Sequence, residues 1–149
     1  EHGRVRRQQR GSHRVGGLIT FPARVWREFP QRYRLEASTC DSCSKVLYPP
    51  RLVCPACGGG DFSMTELPRQ GKILTFTIVR VPPAGFEEQS PLPIALVELD
   101  NGIRVMAQVG DVENPTALKI GMPVRLEFRR INWDGEAGVI CYGHKAVPD

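Results

Sequence analysis

Hydrophobic positions recur with two different periods along this chain. Between residues 22 and 37, PARVWREFPQRYRLEA brings back Val25, Trp26, Phe29, Tyr33 and Leu35 at near-helical spacing, with Arg and Glu between them. Pro30 interrupts the pattern, so it predicts two short helices, or a helix and a turn, within 18–37. A helix with Trp26, Phe29 and Tyr33 on one side would expose a large apolar face. It must therefore pack on the body of the protein or on a partner.

From residue 70 onward the pattern is that of strands. GKILTFTIVRV (71–81) is a long β-branched run. PIALVEL (93–99) and IRVMAQV (103–109) are separated by Asp100-Asn101-Gly102, residues that favour the positive φ of a tight hairpin. PVRLEFRRI (123–131) alternates, with Val124, Leu126 and Phe128 on one face. AGVICYGHKAV (137–147) follows the turn signal Trp133-Asp134-Gly135. NPTALKIG (114–121) has room for one helical turn between the third and fourth strands. Five short strands in this order predict an OB-like barrel, whose closure removes exposed edges. A generic five-stranded or SH3-like barrel is the competing architecture.

Between these two patterns lies CDSCSKVLYPPRLVCPAC, from Cys40 to Cys57. Cys40 and Cys43 form one CxxC pair, Cys54 and Cys57 the other. Two such turns facing each other bring four sulfurs to one tetrahedral metal. Val46 to Pro50 fit the short hairpin of a zinc ribbon, and Cys54-Pro55-Ala56-Cys57-Gly58 fits a rubredoxin-like knuckle. A tetrahedral S₄ site also accepts iron, so zinc against iron stays open. Four protein ligands leave no open position, so one structural Zn ion is expected, as a clasp and not as a catalyst. The chain divides into a disordered basic tail (1–17), a helical segment (18–37), the ribbon (38–69) and the barrel (70–149). The fold class is mainly β: short N-terminal helices, a rubredoxin-like zinc ribbon, then a five-stranded OB-fold.

Charge and composition narrow the function. The net charge is +4 over 149 residues, and the first 17 alone carry +4. The remainder is neutral, which disfavours a basic nucleic-acid face. The Arg-rich tail is a solvated terminus, a nucleic-acid arm or a docking segment. No apolar run approaches a membrane span, and the first residues lack the apolar stretch of a secretory signal. With paired cysteines reading as metal ligands, the chain is expected to be soluble and cytoplasmic. There is no HExxH, GxSxG, P-loop or GxGxxG. Cys141, in an apolar strand, reads as a core thiol, and Glu87 and Glu88 as solvated. His144 lacks an identifiable partner. No catalytic residue is assigned. Phe86, in the long Pro-stiffened loop 82–93, either meets a ligand or partner or folds back on the barrel.

The order WRxxPxRY (from Trp26), CxxC…CPxCG, GKILTFTIV and LKIGMPVRLEF resembles a prokaryotic family, over about residues 22–147. Its members join a rubredoxin-like zinc ribbon to an OB-fold and were long catalogued as a domain of unknown function. The resemblance implies a small accessory subunit of a thiolase-superfamily complex. Such complexes include acetyl-transferring thiolases, hydroxymethylglutaryl-CoA synthase assemblies and thiolase-like aldolases acting on CoA thioesters. It implies a hetero-oligomer in which the larger subunit carries the chemistry, and this chain bridges it and helps shape the acyl-CoA site. Trp26, Phe29, Tyr33 and Phe86 are then candidate partner contacts, and Arg80 and Arg104 candidate contacts to the phosphates of CoA. The alternatives are a single-stranded nucleic-acid-binding OB-fold and a stand-alone metalloenzyme. The first needs aromatic and basic residues on the second and third barrel strands, where IALVEL has neither.

Overall fold

A computed structural model describes residues 27–28, 31–133 and 140–149. Trp26 and Phe29 lie outside the described residues. Helical backbone at 27–28 and 31–34 leads to Leu35, whose φ of 53° breaks the helix, and β1 (Glu36–Cys40) begins at once. The strand thus starts two residues inside the segment read as helical. The reversal of φ at Leu35 is a tertiary effect: the side chain is 2% exposed and sits in the core. That burial outweighs a left-handed backbone cost of roughly 1–2 kcal/mol.

The ribbon is a three-stranded antiparallel sheet of order β2-β1-β3, with β2 Val46–Leu47 and β3 Phe62–Glu66. β1 pairs Ser38 with Leu47 on one side and with Met64 on the other. The barrel follows with β4 (Gln70–Val79), β5 (Leu92–Leu99), β6 (Arg104–Gln108), β7 (Pro123–Trp133) and β8 (Ile140–Pro148). Its order is β6-β5-β4-β7-β8, all antiparallel, and a parallel bridge between Val109 and Ala146 nearly closes it. This is the OB-fold arrangement. Each expected strand is present within a few residues of its expected limits. The Asp100-Asn101-Gly102 turn has the expected positive φ at Gly102. The helical turn expected in 114–121 is a single 3₁₀ turn, Pro115–Ala117, capped by the Asn114 side chain accepting from the Thr116 N–H at 3.0 Å.

Ile73, Val97, Leu99, Val124 and Leu126 fill the barrel, and Leu35, Ala37 and Leu67 join the same core from the ribbon side. The first part of β4 pairs with β5 and β7 together, and this crowding requires Gly71. A Cβ there would lie 2.4 Å from the Glu98 carbonyl oxygen. Beyond Arg125, β7 leaves β4 and pairs with β8 alone, as far as Trp133 with Ile140. The pair forms an arm. One face carries Phe128, Tyr142 and His144, with the Tyr33 ring 5.1 Å from Phe128. The other side is held by the 82–91 loop. Gln89 Nε2 donates to the Ile131 carbonyl at 2.9 Å, and Lys145 Nζ donates to Gln89 Oε1 at 3.4 Å.

Candidate metal centre

The two CxxC turns are built alike. Cys40 N–H donates to the Lys45 carbonyl (3.0 Å), and Ser44 N–H to the Cys40 carbonyl (2.8 Å). Fourteen residues on, Cys54 N–H donates to the Gly59 carbonyl (2.9 Å) and Gly58 N–H to the Cys54 carbonyl (2.9 Å). Ser44 and Gly58, at equivalent positions, both have positive φ, 58° and 76°. Each turn therefore folds its cysteines toward the other. The backbone also turns N–H groups onto the sulfurs: Lys45 to Cys43, Ala56 and Cys57 to Cys54, and Gly59 to Cys57.

The result is one sulfur cluster. The four Sγ atoms lie within 4.8 Å of one another. Cys40 and Cys57 are 3.5 Å apart, and Cys43 and Cys54 3.6 Å. Tetrahedral zinc with Zn–S near 2.3 Å demands S–S edges of roughly 3.8 Å, so the cluster fits that ion with little adjustment. The N–H groups of Ala56 and Cys57 lower the Cys54 thiol to about 6. At Cys43 the Lys45 N–H lowers the pKa, but the other three sulfurs and desolvation outweigh it and push it up to about 12. One sulfur is prepared to ionise while another holds its proton, the expected state of four thiols sharing one hole. A divalent cation entering the site displaces the protons. Cys40, Cys43, Cys54 and Cys57 would hold such an ion with no position left for water or substrate, and the ion would then supply folding energy.

The other sequence candidates are dispersed. Tyr33 is half-buried and packs on the arm of its own barrel. Phe86 is half-buried in its loop, and Arg80, at the start of that loop, is exposed, its carbonyl accepting from Ser90 Oγ. Arg104 lies on β6 with its Nε 3.5 Å from Glu98. These residues do not converge on a pocket with the cysteines. His144 has a partner that sequence could not reveal: its Nδ1 is 3.1 Å from the Arg32 carbonyl, 112 residues away. Burial, above all, lowers its pKa. The Phe128–Tyr142–His144 face was likewise illegible, because it depends on β7 outrunning β4. Among the described residues no helix is long and apolar enough to cross a membrane.

Comparison with known proteins agrees on a family, while the relatives carry different names, among them a probable enoyl-CoA hydratase alpha subunit of Thermomonospora curvata, 32% identical over 69% of this chain and 32% of that protein. Residues 27–63 match the family described as the ChsH2 rubredoxin-like zinc ribbon domain, and residues 64–129 the ChsH2 C-terminal OB-fold domain. A DUF35 domain-containing scaffold protein of Pyrococcus furiosus is 43% identical over 126 residues, covering 85% of this chain and 91% of that protein. The benzoylsuccinyl-CoA thiolase subunit BbsA of Thauera aromatica is 28% identical over 75 residues, 50% of this chain and 51% of BbsA. A solved structure described as an Ltp2-ChsH2(DUF35) aldolase superposes with a TM-score of 0.65 at 28% identity, covering 85% of this chain and 92% of that one.

Proposed function

This chain belongs to the family of DUF35-domain scaffold proteins, and on that premise we propose that it is a non-catalytic zinc-binding subunit of a thiolase-type enzyme complex. It bridges and stabilises the complex, which makes or breaks a carbon–carbon bond of an acyl-CoA, and it helps shape the acyl-CoA site. The observation that carries this reading is the closed four-cysteine cluster in a chain whose relatives are named scaffold protein and thiolase subunit. A metal with no open position cannot activate water or a carbonyl. The chemistry then belongs to the larger subunit, and this chain contributes surface.

The β5–β6 face, where the nucleic-acid alternative needs its platform, lends it no support. The outward residues of β5 and β6 are Ile94, Leu96, Glu98, Arg104, Met106 and Gln108, without an aromatic ring on which a base could stack.

The test is gentle purification of the tagged full-length chain from its own cells, with mass spectrometry of what accompanies it. A thiolase-superfamily protein at near-stoichiometric amount is expected. A chain that elutes alone as a stable monomer overturns the reading.

A further inference from the structure

Three cross-strand rows cover the outer face of β4, β5 and β6. They are Thr77–Ile94–Gln108, Thr75–Leu96–Met106 and Lys72–Glu98–Arg104. The first two rows hold no charge. Thr75, Thr77 and Met106 are exposed, Met106 at 76%, and Ile94 and Leu96 are half-buried. This uncharged strip, with Ile94, Leu96 and the exposed Met106 set among Thr75, Thr77 and Gln108, is where a second surface is expected.

The third row says what that surface carries. Lys72 Nζ and Arg104 Nε each lie 3.5 Å from a different oxygen of the same Glu98 carboxylate. The two cationic side chains remain 58% and 64% exposed, the carboxylate 25%. Two cations share one anion, so the row Lys72–Glu98–Arg104 itself carries a net positive charge. A carboxylate from outside completes the row through charge-assisted bonds. Met106 is unbranched and adapts its shape to an apolar neighbour. A second copy of this chain fits less well, since the Glu98 of each copy is already held by its own Lys72 and Arg104.

We propose that this face, with Leu96 and Met106 at its centre and Lys72 and Arg104 at its edge, docks an apolar, carboxylate-rimmed surface of the thiolase-type subunit. The inference rests on the subunit reading above and adds the surface and its chemistry. Arg104 then serves protein–protein contact, in place of the CoA contact expected from sequence.

The experiment compares the tagged full-length wild-type chain, Met106→Asp and the double variant Lys72→Glu/Arg104→Glu, each purified from the native host. Zinc content and melting temperature are checked for each. Affinity for the co-purifying thiolase-family protein is then measured by titration. We expect at least a tenfold loss for Met106→Asp and a several-fold loss for the charge reversal, with zinc and melting temperature unchanged. If wild type holds its partner and both variants bind it within twofold, the docking face is wrong and the subunit reading stands. If wild type holds no such partner, both fall. If the chain alone sediments as a dimer that Met106→Asp dissolves while partner binding persists, the face belongs to a second copy and the proposal is overturned.

Discussion

The backbone N–H of Leu67 donates to the carbonyl of Leu35 at 3.0 Å, and this bond closes the neck of the ribbon. The two residues bracket β1, β2, β3 and all four ligating cysteines. Both side chains are 2% exposed and pack with Ile73, Val97 and Leu126 of the barrel. The ribbon is thereby anchored at its base by barrel packing and at its far end by the sulfur cluster.

Truncating the neck tests that anchoring. Leu67→Ala is expected to lower unfolding stability by about 2–5 kcal/mol, as for other fully buried leucines. Leu35 adds a signature of its own, because its φ is positive. Glycine bears that conformation without penalty and alanine does not. Leu35→Gly should therefore be more stable than Leu35→Ala, the reverse of the usual order. Urea unfolding of the three variants checks both statements.

Cys54→Ser removes one of four ligands from a module with few core residues of its own. The variant is expected to lose its zinc and to unfold from Glu36 to Glu66, because the ion supplies the folding energy there. Elemental analysis should give one zinc per wild-type chain and none per variant. Hydrogen exchange should become fast across the ribbon strands.

Gly71 cannot carry a side chain. Its added Cβ would meet backbone atoms of Glu98 and Leu99, at 2.4 and 2.9 Å, and backbone cannot swing aside. Gly71→Ala is expected to cost about 1–3 kcal/mol or more, the usual range for overpacking. Gly102→Ala, at a hairpin tip with nothing within 4 Å, bears only the strain of its positive φ. It should cost less. Thermal melts of the pair compare them directly.

His144 confers a pH dependence. Its folded pKa lies below the ordinary 6.5, first because burial desolvates the ring, with Arg69 adding to the effect; the bond to the Arg32 carbonyl and Glu66 oppose it. The unfolded chain therefore takes up a proton at a higher pH than the folded chain. The stability contributed is full above pH 6.5 and is lost as pH falls through the folded pKa. His144→Gln should flatten the stability curve between pH 7 and the lower value, read by urea unfolding at a series of pH values.

Tyr48 Oη donates to the Gln31 carbonyl at 3.2 Å, tying the helical segment to the ribbon. Tyr48→Phe deletes that bond, worth about 0.5–1.5 kcal/mol. Trypsin should then cut faster after Arg32 and Arg34, with zinc content unchanged.

The parts of this protein are written in local sequence patterns. CxxC spacing depends only on the reach of a short turn, so Cys40, Cys43, Cys54 and Cys57 were legible as one site. The β-branched run of β4, the alternation in β7 and the turn residues between strands are local signals, so the barrel and its Asp100-Asn101-Gly102 turn were legible too. Tertiary structure alone decided how the parts join. A left-handed Leu35 is unfavourable by local preference, and only the core it enters makes it stable. The bonds from His144 to Arg32 and from Tyr48 to Gln31 link residues with no local pattern between them. The Leu96–Met106 face becomes a surface only when register sets three strands side by side. Local spacing encodes contacts made within a turn or along a strand. Contacts between distant segments are settled by the packing of the whole chain.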